Sequence, residues 1–220
     1  PRLSPDGRQV AYVLRETDRA EDKGTTDLWL VPADGSGAPT RLTSDPASDS
    51  QPRWSADGNS LYFLSKRGDH RQVWRLPADG GAEPEAVTDL PLDVRTFALS
   101  PTGGHLVVSV DVYQGCPDLD CTRGRLDENE ARQDSALVFD ELFVRHWDTW
   151  EDGRRATLFA IDLEGEAPPR ALTAALDAHV PARPFGGASA LAVAADGRSV
   201  FFAARAGAGS DKAWSTNLDI

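Results

Sequence analysis

The chain has no methionine, two cysteines, and 23 lysines and arginines against 35 aspartates and glutamates. Without an initiator methionine, Pro1 reads as a processed or trimmed start, so a leader removed earlier is compatible with the sequence. No apolar run approaches the length needed to span a membrane. A net charge of −12 with no basic stretch argues against nucleic acid or an anionic membrane as partner, and permits basic or amino-terminal groups. Two cysteines cannot complete a zinc site, and His70, His105, His146 and His179 are scattered along the chain. Catalytic motifs are missing as well. Gly187-Ala188-Ser189-Ala190-Leu191 lacks the last glycine of a nucleophile elbow, and there is no phosphate-binding glycine loop, His-Glu-x-x-His or dinucleotide fingerprint. No catalytic residue, cofactor or metal is expected in these 220 residues.

The chain is instead rich in repetition. Leu28 to Thr43, Val73 to Thr88 and Leu158 to Thr173 share one layout, in which Trp29, Trp74 and Phe159 each lie fourteen residues before the closing threonine. Gly35, Gly80 and Gly165 stand eight before it, and Pro39, Pro84 and Pro169 four before it. A second motif alternates with the first, in Leu3 to Tyr12, Trp54 to Phe63, Leu99 to Val108 and Val193 to Phe202. Its glycine takes positive φ at no steric cost, and the alternating apolar residues that follow read as a strand, so each copy predicts strand, turn, strand. The two motifs together give about four short strands per repeat of 45 to 51 residues, the period of a β-propeller blade.

From Gly103 to Gly197 the spacing is 94 residues, and Gly103 lies 56 before Phe159 where Gly58 lies 16 before Trp74. The excess falls inside one blade. Residues 1–220 are therefore expected to form one all-β domain, a partial propeller of about four four-stranded blades with a helical insertion at about 113–153. Pro1-Arg2-Leu3-Ser4 matches Pro52-Arg53-Trp54-Ser55, so both ends fall mid-repeat and the chain reads as part of a longer polypeptide.

Within the insertion, Cys116 and Cys121 are spaced for a small disulfide loop, which implies an oxidising, periplasmic or secreted setting. Free thiols, with a cytoplasmic location, and a metal pair are the alternatives. Leu126 to Arg132 is helix-like, and Phe139, Leu142, Phe143, His146, Trp147 and Trp150 follow the offsets of one helical face. His146 on that face reads as a packing residue. Glu141, Arg145 and Asp148 lie opposite at ion-pair spacing, with Asp140 at the flank. Either this is a solvated helix face, or its carboxylates meet a ligand's ammonium group beside an aromatic wall of Trp147 or Trp150.

The Ser-Pro-Asp-Gly turns, the Leu-Trp-x-Val/Leu-Pro strands and the run Val138 to Trp150 resemble the amino-terminal propeller of prolyl oligopeptidase family serine peptidases, above all the dipeptidyl peptidase 5 and acylaminoacyl-peptidase branch. That resemblance implies a seven- or eight-bladed propeller capping a carboxyl-terminal α/β-hydrolase domain that supplies the whole triad. It implies an exopeptidase releasing dipeptides or acylated amino acids, with this portion gating access for a peptide substrate. Asp140 and Glu141 would then draw the substrate's amino end, Arg145 and Asp148 would hold the insertion, and Trp147 and Trp150 would anchor it. A TolB-like periplasmic protein-binding module is the competing class, and a propeller lyase with channel histidines a third. A homodimer is left open.

Overall fold

The computed structural model describes residues 1–134, 136, 138, 139, 144–205, 214, 215 and 217–220, with His146 described in its backbone alone. Two complete blades come first, each a four-stranded antiparallel sheet in sequence order. Blade I holds β1 (Arg2–Leu3), β2 (Gln9–Asp18), β3 (Lys23–Pro32) and β4 (Thr40–Arg41). Blade II holds β5 (Ser50–Trp54), β6 (Ser60–Ser65), β7 (Gln72–Pro77) and β8 (Glu85–Ala86).

Blade III begins with β9 (Val94–Leu99) and β10 (His105–Tyr113), leaves the sheet for α1 (Leu119–Glu130) and a hairpin of β11 (Arg145–His146) and β12 (Thr149–Trp150), and returns through β13 (Arg154–Asp162) and β14 (Arg170–Ala171). Its sheet order is β14-β13-β10-β9. A fourth sheet is represented among the described residues by β15 (Leu191–Val193) and β16 (Val200–Phe202), with a single bridge from Ala204 to Asp219. The fold is the expected partial propeller, with three full blades and, among the described residues, two strands of the fourth.

Strand alternation explains the stacking. In β6, Leu61 and Phe63 face Ala11, Leu28 and Leu30 of blade I, while Tyr62 and Leu64 face Val94, Phe97 and Val108 of blade III. In β10, Val108 and Val110 point back to blade II, whereas Val107 joins Ala98 and Leu158 against Leu191 of the fourth sheet. Each middle strand is thus apolar on both faces, and a fully buried Phe63 or Phe97 contributes roughly 1.5–3 kcal/mol.

The repeated landmarks have physical jobs. Gly7, Gly58, Gly103 and Gly197 all have φ between 72° and 86°, and each amide donates to the carbonyl three residues earlier. Only glycine takes that left-handed step without strain, so the first two strands of every blade turn at it. The closing threonines cap the third strands: Thr43, Thr88 and Thr173 each accept, at 3.0 Å on Oγ1, the amide of Leu28, Val73 and Leu158 respectively. Those amides are buried, so an unpaired one would cost roughly 1–3 kcal/mol.

The insertion corrects two helix expectations. The helix expected over Leu126 to Arg132 starts earlier, at Leu119, because the Asp118 side chain accepts the Cys121 amide at 2.8 Å as an N-cap. It also ends at Glu130 rather than running to Arg132. The face expected from Phe139 to Trp150 is not helical where described: Arg145 pairs with Trp150 and His146 with Thr149 across a turn in which Trp147 has φ +50°. Aromatic and β-branched residues favour a strand, and a hairpin brings together residues five apart much as a helix brings together residues four apart.

Candidate functional site

The insertion leaves blade III at Tyr113 and rejoins it at Arg154, two residues that pair directly across β10 and β13. Its first part is tied back onto the blade. Cys116 and Cys121 are joined by a disulfide, S–S 2.09 Å, with Cα atoms 5.5 Å apart. Thr122 Oγ1 accepts the Tyr113 amide at 3.2 Å, Leu119 packs into the core between blades II and III, and Arg125 lies over the Tyr113 ring.

The second part, the hairpin Val144–Glu151, presents aromatic surface. Trp147 is 80% exposed and meets the equally exposed Phe185 edge to face at 5.9 Å. Trp150, 48% exposed, stacks on Phe139 at 5.5 Å and has the Arg145 guanidinium over its ring at 5.3 Å. Asp148 lies at the turn, 3.5 Å from the Thr149 hydroxyl. Arg145, Trp147, Asp148 and Trp150 therefore do come together on one hairpin. Asp140 and Glu141 lie outside the described residues.

Below the hairpin runs a charged cluster that motif reading missed. Glu151, closing the hairpin through its amide to the Val144 carbonyl at 3.0 Å, places Oε2 3.1 Å from His179 Nε2 and Oε1 3.8 Å from Arg183. Arg183 also donates to Asp111 Oδ2, which accepts from Arg95 at 2.9 Å. Arg155 reaches Glu151 at 4.0 Å and Asp177 at 3.0 Å. Asp111 Oδ1 and Arg183 Nε are buried without a hydrogen-bond partner among the described residues, so charge complementarity carries part of what full pairing would.

The histidine's tautomer follows from its surroundings. His179 Nδ1 accepts the Ala156 amide at 3.1 Å, so the proton of the neutral ring sits on Nε2 and is donated to Glu151. Burial, aided by the positive charges of Arg183 and Arg155, pushes the imidazole below its usual 6.5 despite the Glu151 contact. Burial pulls the Glu151 carboxyl upward, but His179, Arg183 and Arg155 outweigh it and hold the group below its usual 4.5.

His179 also has repeat-equivalents. Just before the next blade begins, Ser48 accepts the Thr26 amide at 3.3 Å and Asp93 accepts the Arg71 amide at 2.7 Å. The following residues, Asp49, Val94 and Val180, return their own amides to the carbonyls of the same partners, Thr26, Arg71 and Ala156. One backbone clamp thus recurs three times with a hydroxyl, a carboxylate and an imidazole as the acceptor. Ser48 and Asp93 lie five residues after the capping threonine and His179 six, a spacing that was readable but carried no common residue type.

Residues 1–136 match the family described as PD40, TolB beta propeller domain. The chain belongs to that family. This TolB-type propeller is 29% identical over 99% of its length to dipeptidyl-peptidase 5 of Porphyromonas endodontalis, and 28% identical over 99% to dipeptidyl-peptidase 5 of Porphyromonas gingivalis. It spans 30% and 31% of the length of those two relatives. Among solved structures, acylaminoacyl peptidase of Pyrococcus horikoshii shares the fold with a TM-score of 0.53 at 18% identity, over 73% of this chain and 22% of that one.

Proposed function

We propose that this propeller is the non-catalytic portion of a serine exopeptidase that removes dipeptides or acylated amino acids from peptide amino termini, with the triad in an α/β-hydrolase domain of the same protein. The observation that carries this reading is the likeness to dipeptidyl-peptidase 5 along 99% of the chain, insertion included. An exposed hairpin bearing Trp147, Trp150, Arg145 and Asp148 suits contact with a short peptide, because aromatic faces and a few fixed charges bind with little ordering cost. On this reading the insertion-bearing rim gates entry, and Asp140 and Glu141 attract the substrate's amino end. The Cys116–Cys121 disulfide favours a periplasmic or secreted location.

The test uses the full-length protein. A fluorophosphonate probe labels a serine outside these residues, and dipeptidyl and acyl-aminoacyl chromogenic substrates distinguish a free from a blocked amine. Glu141→Ala is expected to raise KM for dipeptidyl substrates about tenfold or more with little change in melting temperature, the signature of lost ground-state binding. Unlabelled protein without hydrolysis would instead point to a TolB-like protein-binding module.

A further inference from the structure

We propose that Glu151 is a positioning residue, which through His179 and Arg183 holds the aromatic hairpin Val144–Glu151 on the blade III rim and thereby sets peptide binding there. The binding half of this rests on the function proposed above; the holding half stands on geometry alone.

Among its described residues the hairpin has little else to fix it. Its described side chains at Arg145, Trp147, Asp148, Thr149 and Trp150 are all exposed, and its ring contacts are with the exposed Phe185 and the half-buried Phe139. Glu151, with 14% of its side chain exposed, is where the hairpin enters buried structure. The partner it meets there is built into the blade rather than into the insertion. His179 is the third instance of the backbone clamp, and its Nδ1 is committed to Ala156 as Ser48 is to Thr26 and Asp93 to Arg71. An imidazole clamp differs from a serine clamp in having a second ring nitrogen, and that nitrogen is the one donating to Glu151. Arg183 then closes the other carboxylate oxygen and links it to Asp111 on the neighbouring strand.

Protonation of His179 would put a proton on Nδ1, where the Ala156 amide now donates, so the clamp is lost, while Nε2–H still donates to Glu151. The charged groups that act on the ring are Glu151 at the end of the hairpin, Arg183 and Arg155, and these two arginines pair in turn with Asp111 and Asp177. It is therefore the clamp on Ala156, and not the tie to Glu151, that mildly acidic solution is expected to weaken.

The experiment compares full-length wild type with Glu151→Ala and with His179→Ser, the latter keeping an oxygen acceptor for the clamp as blade I does. Amide exchange over residues 144–151, corrected for intrinsic rate, is expected to accelerate about tenfold in both variants while β6 and β10 are unchanged. KM should rise about tenfold with kcat within about twofold. Unchanged hairpin exchange in both variants overturns the assignment, as does acceleration spread evenly over all strands. Faster hairpin exchange with unchanged KM leaves the tie standing and removes the peptide-binding role of the rim.

Discussion

Blades II and III solve one problem with exchanged partners. In blade II the connector supplies the acid, Asp93, which faces His70 of the β6–β7 loop at 3.6 Å, and both side chains are well solvated. In blade III the connector supplies the histidine, His179, and the loop supplies the acid, Glu151, at 3.1 Å in a site where each is 14% exposed. The blade II loop is short and is anchored by its own Arg67, which turns back over Phe63 and Trp74 and pairs with the buried Asp49. The blade III insertion is long, and its hairpin depends on the buried pair. A propeller accepts such a difference because strand pairing runs unbroken to Tyr113 and Arg154, and the entropic cost of closing a longer loop grows only slowly with its length.

The strongest way to break this comparison is Arg67→Ala, which strands a fully buried Asp49 and removes the cation over two rings. A loss of about 3 kcal/mol in global stability is expected by urea denaturation, far more than Glu151→Ala should cost the fold as a whole. Thr88→Val and Thr173→Val come next. Each leaves a buried amide unpaired, Val73 or Leu158, and should cost roughly 1–3 kcal/mol, with Thr88→Val the costlier because its hydroxyl also donates to the buried Gln72 Oε1 at 2.6 Å. A Thr173→Val cost above that of Thr88→Val would mean that the insertion stiffens blade III at a distance.

A pH series sharpens the contrast further. His179 is held below 6.5, so the unfolded chain takes up its proton first; its stabilising share is whole above 6.5 and shrinks as pH falls below that value. Glu151, held below 4.5, keeps its share above that value and loses it as pH drops towards its folded value. Asp49 acts with the opposite sign, because burial pushes its carboxyl up against the hydrogen bonds of Ser65, Thr43 and Arg67, and acid relieves that cost. Urea midpoints between pH 7 and pH 5 should fall in wild type and flatten in His179→Ser. Smallest of all is Arg145→Ala, which removes an exposed cation–π contact; below about 1 kcal/mol is expected, with no measurable change in melting temperature.

The blades were legible because their landmarks are backbone requirements. A positive φ at Gly58 admits little but glycine, and a buried strand amide at Val73 asks for a short hydroxyl at Thr88, so the same letters recur. The hairpin was misread as a helix because period and residue type conflicted: Phe139, Trp147 and Trp150 keep helical spacing, while Val144, Trp147 and Thr149 favour extended backbone. The cluster at Glu151 was not legible at all. Its members, Arg95, Asp111, Glu151, His179 and Arg183, are spread from β9 to the connector beyond β14 and share no motif.

By itself, then, the sequence determined the number and spacing of the blades, the turns between their strands and the place where one blade opens to admit an insertion, because each depends on contacts local in the chain or on a backbone angle few residues can adopt. Which charges meet beneath the hairpin, and that an imidazole serving as a backbone clamp also grips the insertion, was decided only when the tertiary structure brought β9, β10, the hairpin and the following connector to one rim. Hydrogen-bond and charge pairing of that kind is a matter of distance in space, for which spacing along the chain carries no signal.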